Sequence, residues 1–246
     1  MISNSQIVWN LVGNPYPSYL NVQNILNNSI NQLIIDNGDA FGIYGYDGAA
    51  QDGWTIYNLS NTTSTTTITP GQGFFIAAGP NVTGDITFTP TMRSTGDGDD
   101  FIVGRSSDTT NSLTYLRLKT NARDETYSTD FYFNSNSSRG LDTGYDAITW
   151  NTSVANFSLY SNLVDNNTGR PIALQSLNIT DLDNVTIPLG VHSDSGVPIT
   201  FSIESSNLPS GTDVYLQDVV QNTNTLLTNS NYTITPNTDL TGVGLS

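Results

Sequence analysis

The sequence predicts an all-β protein made of two β-sandwich domains, and three observations support this prediction. Its polar residues are mainly Asn, Thr, Ser, Asp and Gly, whereas Lys and Glu, which fill exposed helix faces, are scarce. Short segments rich in β-branched and aromatic residues recur along the chain, each bounded by Gly, Asn, Asp or Pro. Only residues 21–35 carry apolar side chains near helical spacing, so we expect at most one short helix.

Two groups of predicted strands are separated by the loop sequence DNNTGRP, which ends at Pro171. The strand spacing is typical of sandwiches, so residues 1–170 are predicted to form a jelly-roll-like β-sandwich and residues 171–246 a small immunoglobulin-like β-sandwich. The final sequence TGVGLS supplies no closing strand, and the second sandwich is therefore expected to lack its last edge strand. The predicted strands are residues 41–46, 54–59, 73–78, 86–89, 113–120, 129–134 and 157–160 in the first domain and 173–177, 184–187, 199–203, 214–219 and 231–235 in the second.

The stretch WNLVGNPYPSYLN, residues 9–21, is interpreted as a first strand and a rigid corner rather than the edge of an active site. Pro15 and Pro17 fix φ and hold the residues before them in extended conformations, while Gly13 permits a tight bend. Leu11 and Val12 are expected to enter the core.

The charge balance excludes several classes of partner. The chain carries 22 acidic and 7 basic residues, which gives a net charge of −15. Nucleic acids and anionic membranes are disfavoured because both require clustered Lys and Arg. No run of 18 apolar residues occurs, so we expect no membrane insertion. Cysteine is absent, which removes disulfides and thiolate metal sites.

Candidate catalytic residues are few. His192 is the sole histidine and lies in GVHSDSG, an expected surface turn with Asp194 nearby, and the chain contains no G-x-S-x-G motif. A pair of carboxylates remains possible, since glycosidases need two of them across a sugar. Neither Glu125 nor Glu204 stands in a pattern that indicates a raised pKa. We therefore expect a protein that is not an enzyme, with a glycoside hydrolase as the alternative.

Two Asp-rich segments are candidates for a structural Ca²⁺ site. Of the 22 acidic residues, 20 are Asp, the acid that favours turns and ligates hard cations. Carboxylates one or two residues apart around a Gly can bring oxygen ligands onto one cation. Solvated acidic loops are the alternative interpretation. The candidate ligands are Asp97, Asp99 and Asp100 in GDGDDF and Asp142 and Asp146 in DTGYD.

The densest aromatic cluster, residues 41–59, is the candidate carbohydrate-binding surface. The sequences Tyr46-Asp47-Gly48 and Asp52-Gly53-Trp54 place rings beside turns, where a core role is harder to explain than in mid-strand. Tyr57 belongs to the same cluster but also fits a core position. The candidate sugar contacts are Tyr46, Asp47, Asp52, Trp54 and Tyr57. Because the chain is strongly acidic, a neutral polysaccharide is the expected ligand.

Six motifs that occur in order give the chain a family resemblance. They are WNLVGNPYPS at residues 9–18, ITPGQGFF at 68–75, FTPTMR at 88–93, DTGYDA at 142–147, IPLG at 187–190 and VYLQD at 214–218. Together they resemble the C-terminal β-sandwich region of secreted surface proteins and polysaccharide-active enzymes of Bacteroidota, which lies just before a type IX secretion sorting domain. Gln217 departs from that pattern, in which an acidic residue is usual.

The resemblance implies a secreted or cell-surface location and a scaffold or binding role, with any catalysis in upstream domains of the same parent chain. Combined with the aromatic cluster, it predicts a non-catalytic carbohydrate-binding or adhesion module. A structural spacer that precedes the sorting domain and has no ligand of its own is the alternative. An exposed aromatic surface around Trp54 would favour the first interpretation.

Overall fold

The computed structural model describes residues 8–36, 38–46, 54–96, 113–150 and 156–245. Within these residues the regular structure is nearly all strand, as predicted, and the helical part is limited to one α-helix and three short 3-10 turns. The α-helix, α1, spans Val22–Leu26, and the 3-10 turns span Asn31–Leu33, Pro90–Met92 and Ile179–Asp183. The expectation of at most one short helix is confirmed. In the part of the chain described, no helix has the length and apolar character needed to cross a membrane.

The chain folds as two compact units. Unit 1 comprises Met1–Ser112 and Asp142–Ala147, and unit 2 comprises Leu113–Leu141 and Ile148–Ser246.

Unit 1 contains two antiparallel sheets around one apolar core. A four-stranded sheet has the order β1-β6-β3-β4, and a three-stranded sheet has the order β5-β2-β7. The core between them includes Leu20, Ile25, Ile43, Ile68 and Phe74. The strands are β1 (Val8–Gly13), β2 (Tyr19–Asn21), β3 (Ile43–Tyr46), β4 (Trp54–Tyr57), β5 (Thr67–Ile68), β6 (Gly73–Ala78) and β7 (Arg93–Ser94).

The corner after β1 is organised by the buried side chain of Asn14. Its Nδ2 donates to the carbonyl oxygens of Ser18 at 2.8 Å and Thr69 at 2.9 Å, and its Oδ1 accepts from the Tyr16 N–H at 3.0 Å. The Tyr16 hydroxyl in turn donates to the Phe88 carbonyl oxygen at 3.1 Å. The motifs WNLVGNPYPS, ITPGQGFF and FTPTMR therefore meet at one structural corner, which supports the interpretation of residues 9–21 as architecture.

Unit 2 is a single sheet that curls over its own core. Its strand order is β16-β15-β18-β13-β11-β12-β9-β8-β14-β17. The sheet has two halves, β16 to β11 and β12 to β17 in the strand order above, and they join where Ser161 of β11 pairs with Ile172 of β12. Side chains from both halves, such as Leu216 and Phe131, share one core, so the arrangement is a sandwich. The remaining strands of the chain are β8 (Thr114–Ala122), β9 (Glu125–Asn134), β10 (Ala147–Ile148), β11 (Ser158–Ser161), β12 (Ile172–Asn178), β13 (Leu189–Ser193), β14 (Ile199–Asn207), β15 (Tyr215–Asp218), β16 (Thr223–Leu226), β17 (Tyr232–Ile234) and β18 (Leu240–Leu245).

The boundary expected at residue 170 lies inside unit 2. Strand β9 precedes that point, yet it pairs in parallel with β12, which follows it, in the register Leu174↔Asp130 to Asn178↔Asn134. The closing sequence also differs from expectation, because residues 240–245 form β18, which pairs with β13 on one side and β15 on the other.

Two of the predicted strands, residues 86–89 and 184–187, form no β-ladder. Their apolar side chains still pack against the two cores, namely those of Ile86, Phe88, Val185 and Ile187. The alternating sequence pattern at these positions therefore marks buried side chains in segments that pair with no other strand. His192, expected in a turn, lies in mid-strand in β13.

Two glycines of unit 2 accommodate the ring of Tyr160. Tyr160 of β11 stands directly opposite Gly190 of β13, and a Cβ atom added to Gly190 would overlap the Cε2 and Cζ atoms of the ring. A Cβ atom on Gly242 of β18 would lie 3.0 Å from the Tyr160 hydroxyl. The ring thus crosses β13 over the backbone of a glycine, which has no side chain to obstruct it. Tyr160 is only 8% exposed.

Candidate functional site

The outer face of the sheet β1-β6-β3-β4 carries the aromatic residues that the sequence singled out. Side chains alternate across a strand, so Val12 and Phe74, which are paired in register, point into the core, while Leu11 and Phe75 point away from it. The pairing of Tyr44 with Phe75 places Tyr44, and with it Tyr46, on that same outer face. We call the exposed part of it the aromatic face, defined by Leu11, Tyr46, Trp54 and Phe75.

Three rings of the aromatic face form a continuous row. Tyr46 and Trp54 are directly opposite each other on β3 and β4, and their rings meet edge to face with centroids 5.4 Å apart. The Trp54 ring also meets the Phe75 ring edge to face at 5.7 Å. Tyr46 is 64% exposed and Leu11 is 68% exposed, so the row is open to solvent at its edges. Because Trp54 is held between two rings, its orientation is fixed before any ligand arrives.

Beside this row lies a floor without side chains. Gly13 of β1 pairs with Gly73 of β6. The antiparallel register that joins Tyr44 to Phe75 brings Tyr46 next to Gly73. Around an added Cβ atom at Gly13 the nearest neighbour is the Gln72 carbonyl oxygen at 3.8 Å, so the floor is open above the backbone. At Gly73 an added Cβ atom would lie 3.4 Å from Leu11 Cδ1, so the floor is open at its Gly13 end and bordered by Leu11 at its Gly73 end.

The far side of the same face is closed. The Trp9 and Tyr44 rings pack edge to face with centroids 4.6 Å apart, and Tyr44 is fully buried. This contact anchors the sheet and leaves the region around Tyr46 and Trp54 as the accessible part.

Of the three remaining candidate sugar contacts, Tyr57 is among the described residues and lies on the other face of the sheet. Tyr57 points to the core side of the sheet, opposite Ile43, and packs against the core of unit 1. Burial raises the pKa of Tyr57 to about 12, which fits a phenol enclosed by apolar neighbours. Asp47 and Asp52 lie outside the described residues.

Leu11 was expected in the core and is instead exposed on the aromatic face. Its neighbour Val12 does pack against the core. Residues 11 and 12 of a strand must point to opposite faces, so only one of the two can be buried.

The candidate Ca²⁺ ligands Asp142 and Asp146 form a turn. Asp146 is fully buried, and its Oδ2 accepts a hydrogen bond from the Asp142 N–H at 2.7 Å. Gly144 within this turn has φ +83°, and its carbonyl oxygen accepts a hydrogen bond from the Leu59 N–H at 2.8 Å. The DTGYD motif therefore has a clear architectural role. Among the described residues, no three or more His, Asp or Glu side chains converge, and Asp97, Asp99 and Asp100 lie outside those residues.

Two carboxylates in unit 2 converge on one guanidinium. Arg117 Nε lies 2.7 Å from Glu204 Oε2, and Arg117 Nη1 lies 3.3 Å from Asp130 Oδ2. The register of β14 shifts between Ile203 and Ser205, so a β-bulge turns Glu204 toward Arg117. Burial raises the pKa of Asp130, and the nearby Arg117 opposes this shift. With Arg117 between them, the two carboxylates are arranged as an ion-pair network.

The imidazole ring of His192 in β13 lies beside the Tyr160 side chain of β11. Its Nε2 lies 3.4 Å from the Tyr160 hydroxyl, and burial lowers its pKa. Glu125 stands at the start of β9 and is exposed.

Sequence reasoning missed three members of the site: Phe75, Leu11 and the Gly13–Gly73 floor. Phe74 and Phe75 are adjacent and chemically alike, and which ring faces solvent depends on the register with β1. The one available signal was the Gly-Phe-Phe order at residues 73–75, which puts a small residue and a ring on the same face two positions apart.

Comparison with known proteins identifies a family. No curated protein and no solved structure matches the chain. A family model described as a domain of unknown function, DUF8693, matches residues 1–241, which include almost all of both units. The chain therefore belongs to the DUF8693 family.

Proposed function

We propose that this chain is a non-catalytic carbohydrate-binding or adhesion module of a secreted multidomain bacterial protein, and that the aromatic face holds the sugar. The observation that carries the proposal is the row of Tyr46, Trp54 and Phe75 beside the floor of Gly13 and Gly73. Sugar rings have apolar C–H faces that pack on aromatic rings, and a shallow floor lets a saccharide lie flat against the sheet.

The proposed ligand is a neutral polysaccharide. A net charge of −15 repels sulfated and uronic glycans, and aromatic contact needs no charge on the sugar. Asp47 and Asp52 follow Tyr46 and precede Trp54 in the sequence, so their carboxylates are proposed to accept hydrogen bonds from sugar hydroxyls. Upstream catalytic or surface domains of the same parent chain are the other proposed partners. Structural Ca²⁺ remains part of the proposal through the Asp97–Asp100 segment.

The test is affinity electrophoresis of the chain through gels that contain a panel of neutral polysaccharides, with Ca²⁺ and again with EDTA. We expect one glycan to retard the wild type and to lose that effect with Trp54→Ala and with Tyr46→Ala. Leu33→Ala is the control, because Leu33 is 74% exposed but lies in the 3-10 turn Asn31–Leu33 and not on the aromatic face. Loss of retardation in the presence of EDTA would show that glycan binding also requires a metal ion.

A floor-filling variant tests the geometry independently of the rings. In Gly73→Val the new Cβ atom would meet Leu11 Cδ1 at 3.4 Å, an ordinary contact, so the fold should persist. The added methyl groups would raise the floor beside Tyr46, and retardation should fall. Binding by Gly73→Val as tight as that of the wild type would contradict the placement of the sugar.

The two alternatives give different results in the same experiment. A structural spacer would show no retardation by any glycan under either condition. A glycoside hydrolase would release reducing ends from a soluble polysaccharide, and Asp130→Asn or Glu204→Gln would abolish that release. We expect binding without release.

A further inference from the structure

A cleft of about 660 Å³ opens at one end of the unit 2 sandwich. It lies between β8 and β9 on one side and β15 on the other, and the loops at residues 182–187 and 208–214 border its mouth. Its volume falls within the range of roughly 300–1,000 Å³ that is usual for small-molecule sites. The aromatic face belongs to unit 1, so this cleft is a separate feature of the chain.

The floor of the cleft is the hydrophobic core itself. Leu116, Phe131, Phe133, Leu216 and Leu227 line the cleft and are also members of the unit 2 core. In a closed sandwich the two layers would pack these side chains against each other. An apolar chain or ring that entered here would therefore bury its surface against core side chains, and removal of that surface from water favours binding.

The mouth of the cleft is polar and carries negative charge. Asn184, Thr186 and Thr212 supply amide and hydroxyl groups, while Asp183 and Asp213 supply two exposed carboxylates. None of the described residues that line the cleft is basic. The entrance thus repels anionic head groups such as carboxylates and attracts ammonium groups, in agreement with the charge of the whole chain.

We propose that this cleft is a second binding site, which takes an amphipathic amine with its apolar chain or ring on the core floor and its ammonium group at the Asp183 and Asp213 carboxylates. This ligand class matches each part of the site, because the floor is apolar, the mouth is polar and the charged residues among the described lining are Asp183 and Asp213.

The test measures fluorescence of the neutral probe N-phenyl-1-naphthylamine with the full chain, followed by displacement with n-octylamine, 1-octanol and octanoate. These three competitors share one chain length and differ in head-group charge. We expect the protein to enhance the probe signal. Octylamine should displace the probe at about one fifth of the octanol concentration, since two exposed ion pairs contribute a factor of that order, and octanoate should be weakest.

Variants assign the effect to the cleft. Asp183→Asn combined with Asp213→Asn should remove the advantage of octylamine over octanol, whereas Asp165→Asn, an exposed carboxylate away from the cleft, should retain it. Thr186→Trp places a ring at the exposed mouth and should weaken probe binding at least about fivefold at an unchanged melting temperature, while Trp54→Ala should bind the probe like the wild type.

The proposal would be overturned by no fluorescence change on adding the protein, by wild-type probe binding in Thr186→Trp, or by octanoate competing as well as octylamine. Loss of probe binding in Trp54→Ala would also overturn it, because the probe would then occupy the aromatic face.

Discussion

The substitution Gly190→Ala should destabilise unit 2 because the Tyr160 ring already fills the space that the new methyl group needs. The added Cβ would overlap ring atoms Cε2 and Cζ and lie 2.7 Å from the hydroxyl oxygen. The ring cannot move aside freely, since Tyr160 is 8% exposed and Gly242 lies beneath its hydroxyl end. Overpacking of this kind costs about 1–3 kcal/mol, and we expect the upper half of that range.

A double-mutant cycle separates the steric clash from any general effect of alanine in a strand. Without the ring, Gly190→Ala should be neutral or stabilising by up to about 1 kcal/mol, because alanine loses less backbone entropy on folding than glycine does. The coupling energy between Gly190→Ala and Tyr160→Ala should therefore reach about 2–4 kcal/mol. Urea denaturation followed by far-UV circular dichroism gives the four free energies of unfolding.

The matched control is Gly140→Ala in the same unit, where the added Cβ would meet nothing nearer than the Asp165 carbonyl oxygen at 3.7 Å. It should change the free energy of unfolding by less than about 1 kcal/mol. The reasoning would be refuted if Gly190→Ala cost as much in the Tyr160→Ala background as in the wild type.

Three further predictions concern one buried and two half-buried polar groups. Burial raises the pKa of Tyr57 to about 12, so the stability provided by its neutral phenol is complete below pH 10 and is lost as the pH rises through 12. Over that interval, urea titrations should show that the free energy of unfolding of Tyr57→Phe falls by about 2–3 kcal/mol less than that of the wild type. The buried Asn31 side chain donates to the carbonyl oxygens of Ile25 and Thr87 at 3.0 Å each and accepts from the Thr87 N–H at 2.7 Å, so Asn31→Ala should cost about 2–4 kcal/mol in free energy of unfolding, and a cost below about 1 kcal/mol would contradict this assignment. Burial lowers the pKa of His192, so an NMR titration should find its midpoint below 6.5, and the folded state should lose stability as the pH falls below 6.5; a midpoint above that value would contradict the burial.

Local sequence patterns predicted the strands whose start and alternation are set by residues within the strand itself. The segment Gly73–Ala78 was predicted with its observed bounds, because Gly and the following rings mark both its start and its alternation. The unit boundary and β18 escaped prediction because both depend on distant partners. Strand β9 pairs with β12 about 40 residues later, and the glycines of TGVGL weaken the strand pattern of β18, in which Gly242 lies against the Tyr160 hydroxyl.

The candidate site was likewise predictable where it depends on neighbouring residues in the sequence, and not where it depends on strand pairing. Placing rings beside turns singled out Tyr46 and Trp54, which the structure brings into contact. Phe75 and the Gly13–Gly73 floor come from other strands, so their place beside Trp54 depends on the register of β1 with β6 and of β6 with β3. Tyr57 was assigned to the same set although its position in the strand points it to the opposite face.

The position of β18 has a consequence for folding during synthesis. Residues 240–245 pair with β13 and β15, so these two strands keep unpaired edges until the last part of unit 2 has left the ribosome. Sheet formation in that half must therefore wait until residues 240–245 have been synthesised, while unit 1 can complete most of its sheets earlier. During that interval the open edges of β13 and β15 are sites for mispairing with another nascent chain, so truncation before residue 240 should favour aggregation over folding.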